Sequence, residues 1–429
     1  MNNNITLDRT KAPALEKISK PELPIPKKII FPNNLPVYYL NAGEQDIIKL
    51  ELIFQAGRWQ EPQKLASHLM SRMLKEGTSK RTGKEIADII ALYGATLSVK
   101  SSYDNISINL ICLNKHLEKV LPILKEILTE ANFPQAELDL IIQNNKQQLK
   151  INLDKNDFIA ENKFKELLFG ANNPYGYFVK ESDYDNINKE TLDTFYQSNI
   201  CSNNAILIVA GKISTSTEAT IEKFLGQNDW KSEHEIIQNK HDIITTNNLK
   251  QHTAIKDAVQ SSIRIGWHLV NKTHEDYMDL VFLHTLFGGY FGSRLMNNIR
   301  EDKGYTYGIY SIVNTFLHEG YYCISTEVGK DVCQKAIDEI YNEIQKMQTE
   351  TVGEEELLLV KNYLTGTLLS SVDGPFKMAA TLKSLIVYGL NFEYIGHFFD
   401  AIDNMSVERL QSLANKYFIK DKMLEVVVG

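Results

Sequence analysis

Cysteine is scarce in this chain: Cys112, Cys201, Cys323 and Cys333 are the only four, and no two stand at the C-x-x-C spacing of a zinc or redox site. A disulfide scaffold is thereby excluded as the organising principle, and a reducing compartment is expected. An excess of basic residues is missing too. Forty-six Lys and Arg stand against 54 Asp and Glu, a net charge of −8, so the surface is not built to neutralise nucleic-acid phosphates or anionic lipid. No stretch approaches the roughly 18 uninterrupted apolar residues of a membrane span; the longest apolar runs are short, such as AILIVAG at 205–211. The opening residues carry charges throughout and lack the continuous apolar core of a secretory signal, so a cytoplasmic location is expected. What is present, 43% apolar and 23% charged side chains over 429 residues, is too apolar for a disordered chain and too long for one core. Two domains are the expectation.

Residues 1–27 are rich in Pro and Lys and show no periodicity, which predicts an arm that packs on a partner or stays mobile. Beyond it, IKLELIF at 48–54 alternates as a half-buried strand does, and so do Ile106, Ile108, Leu110 and Cys112. Leu117, Val120, Leu121, Leu124, Ile127 and Leu128 instead form the apolar stripe of a helix, and Pro134 opens another through Leu149. The same order returns later. IRIGWHLV corresponds in place to LELIFQAG, VCQKAIDEIYNEIQKM to HLEKVLPILKEIL, and the closing strand LEVVVG to AILIVAG. An internal repeat follows, with offsets near 219 (Glu137 to Glu356) and 218 (Gly211 to Gly429). The polar, Asn- and Thr-rich stretch 228–250 separates a first repeat, 28–227, from a second, 251–429. Strands running directly into strands, with helices grouped between them, predict an α+β fold: two homologous repeats, each an antiparallel sheet with helices on one face.

Three places could carry chemistry. The first is LASHLMSRMLKEGT at 65–78, an apolar helix with one histidine, in which Gly77 is placed as a left-handed cap. The second is LFGGYFGSRLMNNIREDKGYTYGIYS at 286–311, where Gly288, Gly289 and Gly292 interrupt an apolar helix without the Gly-Lys-Ser/Thr ending of a phosphate loop. The third is the pair of strands around Ile312–Phe316 and Tyr321–Ser325, in which Tyr305, Tyr310, Tyr321 and Tyr322 read as sheet packing. His234, His241 and His252, with no carboxylate at ligand spacing, read as solvated surface. Pro375 marks a turn between helices.

The first two blocks together resemble the pitrilysin/insulinase family of zinc metallopeptidases, and the likeness runs from about Ile29 to Gly429. The family's inverted motif H-x-x-E-H here reads His68-Leu69-Met70-Ser71-Arg72. The resemblance implies that Ser71 stands where the general-base glutamate belongs, Arg72 where the second histidine belongs, and Gln148 where the third ligand, a glutamate, belongs. Arg72 is a permanent cation and Ser71 cannot accept a proton from zinc-bound water at neutral pH. His68, Ser71, Arg72 and Gln148 are thus expected to be a former zinc site, His68 a partly buried histidine without a ligand role, and this chain to hold no metal. The second block is very similar to the family's second-domain signature, a glycine turn followed by S-R-L, R-E-x-x-G and an aromatic with Tyr. The resemblance implies the LuxS/MPP-like metallopeptidase fold and a role for Arg300 and Tyr307 opposite a partner's zinc: a guanidinium holding substrate carbonyls, and a phenol donating to the developing oxyanion. It likewise implies substrate contact at Gly288, Gly289 and Gly292, and peptide added as a strand to a sheet edge. The alternative for the pair is that Arg300 bridges to Glu301 or Asp302 and Tyr307 merely packs in a strand. The expected assembly is a heterodimer with an H-x-x-E-H subunit, as in processing peptidases, acting on unstructured peptides. The competing expectation is an assembly subunit without catalysis.

Overall fold

The computed structural model describes Thr10, residues 18–233 and residues 239–429. Its first half contains β1 (Lys27–Ile30), β2 (Pro36–Asn41), β3 (Ile47–Phe54), α1 (Ala66–Met73), α2 (Gly83–Leu92), β4 (Thr96–Ser101) and β5 (Ile106–Leu113). It continues through α3 (Leu117–Glu130), α4 (Gln135–Leu153), α5 (Asn156–Phe169), α6 (Glu181–Asp185), α7 (Lys189–Asn199), β6 (Ala205–Gly211) and α8 (Thr215–Leu225). The second half contains β7 (Lys250–Thr253), β8 (Gln260–Leu269), α9 (Tyr277–His284), β9 (Ile309–Thr315), β10 (Gly320–Gly329) and α10 (Cys333–Thr349). It ends with α11 (Glu354–Ser371), α12 (Pro375–Ile386), α13 (Glu393–Asn404), α14 (Val407–Tyr417) and β11 (Leu424–Val428). None of these helices is long and apolar enough to cross a membrane.

Two sheets result, a six-stranded one ordered β1-β2-β6-β3-β5-β4 and a five-stranded one ordered β7-β11-β8-β10-β9. Both are mostly antiparallel, with one parallel pair each, β2 with β6 and β7 with β11. The repeat is regular: α4 and α11 begin at 135 and 354, α5 and α12 at 156 and 375, and β6 and β11 at 205 and 424, each 219 residues apart.

Strand alternation decides which residues face which layer. Leu50, Leu52 and Phe54 of β3 enter the core beneath the first half's own helices, whereas Ile53 and, on β6, Ile208 and Ala210 face the other way, into a cluster with Met378, Ala379 and Leu382 of α12. In the second half Ile263, Ile265 and Trp267 face the local helices, and Cys323, Leu424 and Val426 meet Ala160, Phe164 and Leu168 of α5. Each half therefore lends one helix to the far face of the other half's sheet, so both faces of each sheet are covered.

Charge fixes this exchange at both crossings. Lys383 of α12 reaches Glu51 of β3 at 2.8 Å and the Ser107 hydroxyl at 2.6 Å. Arg264 of β8, almost wholly buried, is bound by Asp157 and Glu161 of α5. The polarity is opposite at the two places.

Several local expectations need correction. The described part of the N-terminal arm, 18–26, lies against α13, with Lys20 bound to Asp400 at 3.0 Å and Leu23 packed between two cores, so it straps this chain's own second half. The stretch 239–249 is polar but fastened: the Ile244 and Thr246 amides donate to the Phe169 and Leu167 carbonyls. Helix α1 ends at Met73, and Gly77 is no left-handed cap; a Cβ there would sit 2.8 Å from Asn132 Oδ1, so close approach is what demands glycine. The left-handed residue is Leu65, which precedes the helix at φ 74°.

Candidate functional site

Helix α1 is anchored from its N-terminal side by Glu61. The Ser67 amide donates to Glu61 Oε2 at 3.1 Å and the Tyr177 hydroxyl donates to Oε1, placing a carboxyl among the free amides of the first turn. Burial pushes the Glu61 pKa up to about 7, against these two hydrogen bonds and the Arg58 charge. Leu69, Met70 and Met73 go to the core. His68 and Arg72, one turn apart, share the opposite, exposed face.

That face opens on a cavity of about 450 Å³ lined by His68 and Arg72, by Asn145, Gln148 and Asn152 of α4, and by Arg58 and Tyr177. Three of the four residues of the degenerate motif thus meet, and Ser71 does not join them. Its side chain is buried and its hydroxyl donates to the His68 carbonyl at 2.7 Å. His68 keeps an edge open to solvent, yet burial of its ring in the cavity wall, then the Arg72 and Arg58 charges, hold its pKa below the ordinary value. Gln148 donates to Asn152 Oδ1 at 3.2 Å. The residues present do not fit zinc, because a guanidinium stands where a donor is needed. Among the described residues no three His, Cys, Asp or Glu gather as a metal-binding group.

In the second half, α9 runs into a π-helical turn at Thr285–Gly289, and a second π-helical turn at Met296–Asp302 carries Arg300. The glycines that end the first turn and follow it are explained by crowding. A Cβ on Gly288 would lie 2.7 Å from Ser311 Oγ, one on Gly289 2.8 Å from His284 Nε2, and one on Gly292 2.8 Å from the Tyr290 ring. His284 and Ser311 are themselves hydrogen-bonded at 2.8 Å, and burial drives the His284 pKa down to about 4.

Arg300 donates to Glu301 Oε1 at 2.7 Å and lies over the Phe291 ring at 4.7 Å. Tyr307 is 95% exposed, and its phenol has no hydrogen-bond partner among the described residues, so it does not pack in a strand. Phe291, 67% exposed, ties the glycine turn to Arg300. Neither Arg300 nor Tyr307 lines the α1 cavity, whose walls, among the described residues, come from the first half.

Of the two strands noted around 312–325, β9 is the sheet edge, and β10 is paired on both sides. Tyr321 and Tyr322 are buried, while Tyr310 is half exposed on the edge. His241 is not solvated surface: its Nε2 lies 2.9 Å from the Trp59 carbonyl and its ring meets the indole edge-on. His252 is exposed, and His234 lies outside the described residues. Pro375 is the first residue of α12, following Gly374 at φ 86°.

Arg58, Glu61, Asn145 and Tyr177 belong to the cavity and were not singled out in the sequence. Only the carboxylate shortly before a helix, Glu61, left a recognisable signal.

Residues 37–169 match the family described as Insulinase (Peptidase family M16), and residues 186–364 match Peptidase M16 inactive domain. A Bacillus subtilis protein described as an uncharacterized zinc protease, YmxG, is 23% identical over 84% of this chain and 87% of its own length. A second B. subtilis protein, the probable inactive metalloprotease YmfF, is 24% identical over 58% of this chain and 59% of its own. The crystal structure of a peptidase M16 inactive domain from Pseudomonas fluorescens superimposes with a TM-score of 0.86 at 21% identity, covering 94% of this chain and 98% of that one. Both halves match and the duplicated fold is shared: this chain belongs to the M16, or pitrilysin/insulinase, peptidase family.

Proposed function

We propose that this chain is the non-metal subunit of a heterodimeric zinc metalloendopeptidase acting on unfolded peptides. In this reading a homologous subunit with intact H-x-x-E-H holds the zinc, and this chain presents Arg300 and Tyr307 to it. The observation that carries the reading is the phenol of Tyr307, standing in solvent without a partner among the described residues. A large aromatic so exposed contributes little to packing against the described residues. It is suited to donate to an oxyanion supplied from outside. The guanidinium at the second ligand position supports the same division of labour, since it leaves this chain without a metal of its own.

The ion pair of Arg300 with Glu301 supports a second reading, an assembly subunit without catalysis, because it gives that arginine a local structural role. Kinetics on a reconstituted pair separate the two. With partner binding verified first, Tyr307→Phe should lower kcat on the order of 100-fold while barely changing KM, because the phenol serves the transition state. Arg300→Ala should also raise KM, because a substrate carbonyl is already present in the ground state. Unchanged rates in both variants would leave the assembly reading.

A further inference from the structure

The cavity beside α1 keeps the position of a metal site and has acquired the opposite chemistry. Arg72 projects into it from the exposed face of α1 and makes no ion pair or hydrogen bond among the described residues. Arg58 lines it from the other side, its guanidinium flanked by the Tyr177 ring at 4.3 Å and the Tyr103 ring at 4.9 Å, with only a long contact to the Pro174 carbonyl. Aromatic flanks hold the plane of a guanidinium without consuming its donors. Asn145 Nδ2 is buried and donates to nothing among the described residues. An orphaned donor of this kind in a cavity wall calls for an acceptor.

Among the described residues the only carboxyl in the lining is Glu61, and its oxygens already accept from Ser67 and Tyr177. The remaining polar groups are therefore donors in excess of acceptors, carrying two positive charges. Phe158, Phe178 and Leu149 complete the wall, which gives the anion-seeking end an apolar side. A bare inorganic anion has no use for that wall; an organic acid does. Ser101 and Ser102, at the end of β4, also line the cavity, and β4 is an open sheet edge. An extended peptide backbone could therefore continue from the edge into it.

We propose that this cavity is a carboxylate-binding site, in which Arg72 and Arg58 with the Asn145 amide grip the free C-terminal carboxylate of a peptide whose last side chain rests on Phe158 and Phe178. The site replaces a cation that polarises a carbonyl with a guanidinium pair that holds a carboxylate. It requires no partner subunit, so it stands or falls separately from the heterodimer reading.

Fluorescence polarisation with the full chain decides it. The probe is an N-terminally labelled pentapeptide ending in Phe with a free carboxylate. It is compared with its C-terminal amide, with an amide carrying an internal Glu, and with inorganic phosphate as competitor. The free acid should bind at least tenfold tighter than its amide, and Arg72→Ala should weaken it tenfold or more, because a charge-assisted bidentate contact is lost. Arg72→Lys should recover part of the affinity, and Gln148→Glu, which introduces a competing carboxylate, should weaken binding as well. Arg72 is exposed and unpaired among the described residues, so its variants should keep the wild-type melting temperature. Tight binding of the internal-Glu amide would make an acidic side chain the source of the same carboxylate. Equal binding of acid and amide, an affinity indifferent to Arg72→Ala, phosphate competing as well as the peptide acid, or no binding at millimolar peptide would each overturn the proposal.

Discussion

Removing the Lys383 ammonium should loosen the attachment of the two halves more than any surface ion pair would. Glu51 is 3% exposed in the middle of β3 and is held by Lys49 at 2.7 Å and by Lys383, from the other half, at 2.8 Å. Burial alone would raise its pKa; the Lys383 charge and hydrogen bond, then the hydrogen bond and charge of Lys49, outweigh burial and bring it below the ordinary 4.5. Lys383→Met keeps most of the side-chain length on α12 and strands half of this arrangement. Breaking a buried pair from one side typically costs 3–5 kcal/mol, and because Lys49 stays behind, the low end, about 3 kcal/mol, is expected. For a half of this size, unfolding as a unit, that corresponds to a fall of about 6–12 °C in melting temperature. The pH dependence has a definite sign. A carboxylate with a depressed folded pKa stabilises fully above its unfolded value and progressively less as pH falls through the folded one. The Lys383→Met penalty should therefore be full at pH 7 and shrink below about pH 4.5. Differential scanning calorimetry at fixed scan rate, on wild type, Lys383→Met, Glu51→Gln and the double variant, supplies the cycle, with a coupling of about 1–3 kcal/mol expected. Additive single effects, or a melting temperature within 1–2 °C of wild type ( sets the scale), would refute the claim that this ion pair joins the halves.

Three further outcomes follow from the two sites. Arg72→His with Gln148→Glu should convert the cavity into a two-histidine, one-glutamate site that holds one zinc per chain by elemental analysis, while wild type retains none; zinc bound tightly to wild type would refute the assignment of Arg72. Gly288→Ala should destabilise by about 1–3 kcal/mol, since the new methyl must displace the Ser311 backbone as well as its hydroxyl, and urea unfolding would measure it. His284, neutral in the fold with a pKa of about 4 against an ordinary 6.5, contributes stability that is complete above pH 6.5 and lost as pH falls toward 4. The acid limb of the stability curve should flatten in that window in His284→Gln.

Much of the candidate site was legible because its chemistry lies in residue identity. That Arg72 cannot ligate zinc follows from a guanidinium's permanent charge, wherever the helix sits. The glycines at 288, 289 and 292 were equally visible, but their cause was not: the atoms that exclude a Cβ belong to His284, Ser311 and Tyr290, and only the folded turn brings the first two against them. Tyr307 shows the same limit. Its motif context is in the sequence, whereas its exposure is a property of the surface around it.

The sequence by itself determined the duplication and the elements, because alternation of period two and stripes of period 3.6 are local patterns, and the second copy repeats them 219 residues on. It could not determine which faces are doubly covered. Ile53, Ile208 and Ala210 read as ordinary strand residues; that they meet α12 of the other half, as Leu424 and Val426 meet α5, depends on contacts between residues far apart in the chain. The opposite charges at the two crossings, Glu51 with Lys383 and Arg264 with Asp157 and Glu161, are scattered singly along the sequence. They acquire meaning only where tertiary packing buries them together, since a buried charge without its partner is costly and a solvated one is not.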